Sequence, residues 1–313
     1  MLGKTANGLF WMSRYIERAE NTARLVQAGL RMALTRSSSG EDEWASLLAT
    51  AGASSSFFEK HDAATALNVV DFLIRDQENP SSVLSCINAA RTNARLVRTA
   101  VTREVWENVN QAWMDMHELL RQPIREADLP YVLTDIKRDG SLIRGAFDGT
   151  MLRNEVYDFA RIGTFVERAD NTARILDVKY YVLLPSVAFV GSTLDNIQWE
   201  SILRSVSGQR SYRWVYDAHY QPANIADFLI LNPRMPRSLA FSYKKIFDNV
   251  KYLTEGQDDA HKLCQKTVQR NMSRLQGRTI ADIFEYGLHE FLTEFIEDNN
   301  RLSQEIAEDF LFV

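Results

Sequence analysis

Hydrophobic positions along this chain recur at the spacing of helices, not of strands. Met12, Tyr15, Ile16, Ala19, Ala23, Val26 and Leu30 share one face of a wheel that turns about 100° per residue. Ile162, Phe165, Val166, Ala169, Ala173 and Leu176 do the same farther on. Period-2 alternation is almost absent and the helical patterns are long, which predicts an all-α fold. The 7 prolines and 14 glycines are few. The prolines sit between helical patterns (Asn79-Pro80, Gln122-Pro123, Leu129-Pro130, Asn232-Pro233, Met235-Pro236), where breakers belong. Residues 36–42 (RSSSGED) and 52–56 (GASSS) read as short loops.

The pattern then repeats. Residues 15–25 read YIERAENTARL and residues 165–175 read FVERADNTARI, 150 positions later. The block from Trp44 to Leu48 matches Trp199 to Leu203 at an offset of 155, and Asn68 to Ile74 matches Asn224 to Ile230 at 156. Pro80 then falls on Pro236 and Asn93 on Asn249. Loop insertions explain the small drift, since loops absorb added residues cheaply. Blocks in one order at nearly constant spacing point to a tandem duplication. The expected architecture is an internally duplicated helical bundle with pseudo-twofold symmetry, its halves (1–150 and 151–313) sharing one core.

The polar faces of the repeated helix carry the candidate chemistry. Arg14, Glu17, Glu20, Asn21 and Arg24 oppose the apolar face in the first copy, and Glu167, Asp170, Asn171 and Arg174 in the second. If these faces meet solvent, Glu20–Arg24 and Asp170–Arg174 are ordinary i,i+4 pairs worth about 0.2–0.5 kcal/mol each. Surface positions of two diverged halves tolerate almost any polar residue, yet Glu, Arg, Asn, Thr and Arg recur in register. That recurrence favours a demanding environment: a buried polar network, or a site lined by both helices. In such a cluster the four carboxylates would lie near Arg24 and Arg174, because uncompensated buried charge is costly.

Other chemistry has weaker support. Di-metal bundles use Glu-x-x-His motifs, whereas here Glu17 is followed by Glu20, and Glu167 by Asp170. The five histidines (His61, His117, His219, His261, His289) are scattered. No metal is assigned; an oxygen-only Mg²⁺ or Mn²⁺ site is the alternative, disfavoured by the competing arginines. Arg91, Arg95 and Arg98, with Asn93, are expected on one helix face at i, i+4, i+7, suited to phosphate or carboxylate, or simply to solvent. Trp106 and Trp113 read as core. No P-loop, dinucleotide fingerprint or nucleophile elbow occurs.

Composition narrows the classes further. Lys+Arg 36 against Asp+Glu 41 gives a net charge of −5, which argues against nucleic acid as a partner. Two cysteines, Cys86 and Cys264, lack metal or disulfide spacing and fit a reducing compartment. The apolar run Leu9–Met12 is too short for a signal-peptide core, and no run spans a membrane. A cytoplasmic protein is expected.

The opening stretch from Gly8 to Arg24, the segment Ala90-Arg91-Thr92-Asn93-Ala94-Arg95 with Arg98, and Glu104-Val105-Trp106 with Asn110 resemble the bacterial alpha-E domain family. Gly149-Thr150-Met151 and the second motif from Glu167 to Arg174 extend the likeness over nearly the whole chain. Thr92 departs from it, since similar proteins more often carry Glu there. The resemblance implies partnership with circularly permuted ATP-grasp ligases, alongside transglutaminase-like peptidases, in ATP-dependent amide formation on a small peptide.

Three readings follow. In the first, the protein is an accessory or substrate-binding component of that ligation system. Its binding set is Arg14, Arg18, Glu20, Asn21, Arg24, Arg91, Asn93, Arg95, Arg98, Arg168, Asp170, Asn171 and Arg174. The second makes it an enzyme in its own right, with Glu17 or Glu167 as general base for amine attack. In the third it is a scaffold whose polar helices only fix the packing. No cofactor is assigned.

Overall fold

A computed structural model describes residues 1–35, 41–181, 193–216, 220–255 and 263–312. His219, His261 and most of the 36–42 stretch lie outside the described residues. Among the described residues all regular structure is helical. The first part runs α1 (Gly3–Thr35), α2 (Glu41–Thr50), α3 (Ser54–Phe58), α4 (Ala66–Ile74), α5 (Val83–Leu96), α6 (Arg103–Leu119) and α7 (Leu129–Thr150). The second runs α8 (Glu155–Tyr181), α9 (Thr193–Ser205), α10 (Gln209–Val215), α11 (Pro222–Ile230), α12 (Leu239–Thr254), α13 (Leu263–Gln276), α14 (Ile280–Tyr286) and α15 (Leu288–Asp309).

The helices start where the sequence supplies caps. Thr65, Ser82, Thr102 and Ser238 accept from the backbone N–H three residues on, satisfying donors that the helix leaves unpaired. Thr279 and Asp282 close a full capping box at α14. Pro130 and Pro222 occupy first-turn positions, where a missing N–H costs nothing.

Two expectations need correcting. The GASSS stretch is not simply a loop: Gly52 turns the chain with φ +66, and Ser54–Phe58 then forms α3, anchored by the buried Phe57. Nor do Arg91, Arg95 and Arg98 share one helix face. α5 ends at Leu96, and the chain turns at Val97–Val101 to enter α6, whose cap is Thr102. Val97 closes the helix, its N–H donating to the Asn93 carbonyl, so Arg98 lies beyond the last turn.

α1 and α8 lie at the centre and pack on each other. α5, α7 and α9 also cover α1, while α12, α15 and α2 cover α8. The central pair approaches closely at Gly163, where a Cβ would sit 2.2 Å from the Phe10 carbonyl oxygen. One hydrophobic cluster runs through residues of every region, from Leu9 and Val26 to Leu302 and Ile306. The C-terminal residues return to it, with Phe312 5.5 Å from Phe10 and Phe310 4.9 Å from Phe159, ring centre to ring centre. Because α1 is covered on several sides, its polar face is also inside the protein.

Candidate functional site

The two ER dipeptides pair across the α1–α8 interface. Arg168 donates from Nε and Nη2 to the two oxygens of Glu17, at 2.9 and 2.8 Å. In the reciprocal direction Arg18 donates to the two oxygens of Glu167, at 2.5 and 2.9 Å. Both are two-point contacts, the strongest geometry available to a guanidinium and a carboxylate. Arg14 adds a bond to Glu167 at 2.9 Å, and its guanidinium lies 4.8 Å from the centre of the Trp11 ring. Glu17 and Glu20 are each only 1% exposed and Glu167 5%, so this is an internal ion network.

Two cations that the sequence reading missed complete it. Arg237, just before the Ser238 cap of α12, donates to Glu17 at 3.1 Å, to Asn21 at 2.8 Å and to Glu20 at 3.1 Å. Arg144 of α7 bonds Glu20 and stands 3.6 Å from Glu17. At the 156-residue offset of the repeated blocks Arg237 aligns with Ser81, an arginine opposite a serine beside a helix cap. Arg144 lies outside those blocks. Gly140 one turn earlier makes room for its contact: a Cβ there would fall 2.9 Å from Glu20 Oε2.

The expected roles of Arg24 and Arg174 also change. Neither crosses to the other copy. Arg24 holds Glu20 of its own helix at 2.9 and 2.6 Å, and Arg174 holds Asp170 at 2.7 Å. The guanidinium of Arg24 also bonds Ser207, after α9. Arg18 and Arg168 make the crossing because they lie between the two central helices, whereas Arg24 and Arg174 sit nearly two turns farther along. Asn171 is half-buried and outside the network. Arg91, Asn93, Arg95 and Arg98 form no bonds with it. Arg91 donates to Asn110 at 2.8 Å and lies 4.0 Å above Trp113, Arg98 lies 5.4 Å from Trp106, and Asn93 returns to its own helix at the Ala89 carbonyl. Trp106 and Trp113 are half-buried platforms for these arginines.

Electrostatics follows from this geometry. Burial alone would raise the Glu17 carboxyl, but Arg168, Arg237 and Arg144 outweigh it and hold the group far below the usual range. Burial likewise opposes Arg18 and Arg14 at Glu167, and the arginines bring it down to about 2. Glu20 is lowered too, with Arg144, Arg237 and Arg24 prevailing over burial and the neighbouring Glu17. Burial pulls Arg237 down to about 10, still charged at neutral pH. Carboxylates held so firmly ionised, each gripped by guanidiniums, are poor proton acceptors. The geometry therefore argues against Glu17 or Glu167 as a general base. The cavity beside Glu17, lined by Ser13, Arg144 and Thr164, measures only about 20 Å³, room for a water but not for a substrate.

Other reactive candidates are equally closed. Burial pushes the Cys86 thiol up to about 12, and Cys264 is also buried, so neither is a ready nucleophile. Among the described residues no group of His, Cys, Asp and Glu could hold a metal ion, and no helix is long and apolar enough to cross a membrane.

The network does not balance. Its carboxylates are Glu17, Glu20, Glu167 and Asp170; its guanidiniums are Arg14, Arg18, Arg24, Arg144, Arg168, Arg174 and Arg237. The arginine excess lies chiefly on the Glu17–Glu20 side, where four guanidiniums meet two carboxylates.

No curated protein and no solved structure matches the chain. One family model does, over residues 1–311, and it is described as a predicted alpha-helical domain with a conserved ER motif. With Glu17–Arg18 and Glu167–Arg168 as its crossed ER pairs, the chain belongs to the Alpha-E family.

Proposed function

We propose that this protein is a non-catalytic accessory component of an ATP-grasp-dependent amide-ligation system, with its ER helices serving as an internal clamp. The observation that carries the non-catalytic reading is the closure of the network: Glu17, Glu20 and Glu167 are buried, ionised and fully engaged by arginine. The sequence resemblance to alpha-E proteins supports the ligation setting and a circularly permuted ATP-grasp enzyme as partner, acting on a small peptide. A transglutaminase-like peptidase would belong to the same system. The clamp joins two halves that we read as products of a tandem duplication about a pseudo-twofold axis. Supporting that reading are the crossed ER pairs and the matching order in which α5 and α7 cover α1, and α12 and α15 cover α8.

The test mixes the purified chain with a circularly permuted ATP-grasp ligase from the same organism and follows peptide-dependent ADP release. The chain alone is expected to be inactive, and to bind the ligase and raise its turnover. Amide formation by the chain alone, abolished by Glu17→Gln in a protein that remains folded, would overturn the proposal in favour of an enzyme.

A further inference from the structure

The excess positive charge of the ER network reaches the surface on one side, beside Arg24. Beyond that residue α1 presents Gln27 and Arg31, while the turn from α9 into α10 presents Arg204, Ser207 and Arg210. Together they enclose a cleft of about 270 Å³, and no carboxylate lines it among the described residues. Arg31 and Arg210 are exposed, and neither forms an ion pair with a described carboxylate. At the edge, Lys137 of α7 donates to Gln27 at 2.7 Å.

The described acids that touch the cleft's own residues are already committed. Glu20 is shared by Arg24, Arg144 and Arg237, and Glu200 is held by Arg204 at 2.5 Å and by Gln209 at 2.6 Å. Burial, then Arg24 and Arg31, lower the affinity of Lys137 for its proton. Burial disfavours any charge there, but the Coulomb contribution of Arg24 and Arg31 is a positive field, which favours an anion. Ser207 and Gln209 add polar groups to the wall, and guanidiniums offer paired donors suited to oxyanions.

We propose that the cleft between α1 and the α9–α10 turn binds a compact polyanion, a small molecule with at least two phosphoryl or carboxylate groups. Arg31 and Arg210, held by no acid among the described residues, supply the donors, and Arg24 couples the ligand to the buried clamp. Its volume suits a molecule of that size and is small for a polymer. The inference is independent of the ligation role: it would stand if the partner were of another kind.

Calorimetric titration of the full-length protein at physiological ionic strength, with inorganic pyrophosphate in one arm and citrate in the other, tests it. Saturable binding of at least one probe is expected; the stronger arm identifies phosphoryl or carboxylate recognition, and equal binding means recognition by charge alone. In the Arg31→Ala/Arg210→Ala variant the affinity should fall about tenfold or more, while Arg103→Ala/Arg125→Ala, which removes exposed arginines elsewhere, should leave it unchanged. The single variants Arg31→Ala and Arg210→Ala serve if the double variant does not fold. Absence of saturable binding by both probes, or undiminished binding to the folded Arg31 and Arg210 variants, would overturn the proposal.

Discussion

Glu17 of α1 receives both Nε and Nη2 of Arg168 from α8, at 2.9 and 2.8 Å, in a contact closed to solvent. A pair of this kind contributes little net stability beyond its desolvation cost, yet removing one member is expensive, since the other charge stays buried without a partner.

Glu17→Gln should therefore cost about 3–5 kcal/mol, because it leaves Arg168, Arg237 and Arg144 facing a neutral amide. Denaturant unfolding measures the loss. Asp170→Asn removes the partner of Arg174, a cation that is one-third exposed, and should cost about 1 kcal/mol or less. Equal losses in the two variants would show that burial does not set the energetics of this network.

Acid should weaken the clamp in a defined direction. Glu167 has a folded pKa of about 2, below its ordinary 4.5. Its stabilising contribution is thus complete above about pH 4.5 and lost as pH falls toward 2. Glu17 and Glu20 are shifted in the same direction and add to the effect. Denaturation midpoints measured from pH 6 downward should fall over that acid range, by less in Glu167→Gln, which has no carboxyl left there to titrate.

Asp158, in the first turn of α8, behaves oppositely. Burial, with a smaller push from Glu155, raises its carboxyl to about 6 from an ordinary 3.8. Folding then favours the protonated form, so the group is most favourable at low pH and progressively destabilises the protein as pH rises through about 6. Asp158→Asn should raise Tm by about 2 °C at pH 8 and by less at pH 4. A Tm gain that does not depend on pH would mean that the charge is not the cause.

Gly163→Ala probes the close approach of α1 and α8. With the added Cβ 2.2 Å from the Phe10 carbonyl oxygen, the helices must separate, straining every bond of the crossed ER pairs. A destabilisation of about 3 kcal/mol is expected. Gly145→Ala, on α7 with open space around the new methyl, should change little or gain slightly from helix propensity. Comparable losses would remove the packing explanation.

Local pattern and internal repetition made the helical fold and the ER residues legible in the sequence by itself. Apolar residues at 3.6-residue spacing report a buried face wherever they occur, and identical polar residues recurring after 150 positions marked Glu17, Arg18, Glu167 and Arg168 as members of one set. Only the tertiary structure decided who pairs with whom. The wheel placed Arg24 and Arg174 with the acids but could not reveal that the crossing is made by Arg18 and Arg168, which depends on where α1 meets α8. Arg144 and Arg237 come from elements about 125 and 220 positions away from the acids they bind. Arg98 falls outside α5, which ends at Leu96 with Val97 as its cap. A side chain's charge is written in the sequence; its partner is set by distance in space, and long-range packing alone fixes that distance.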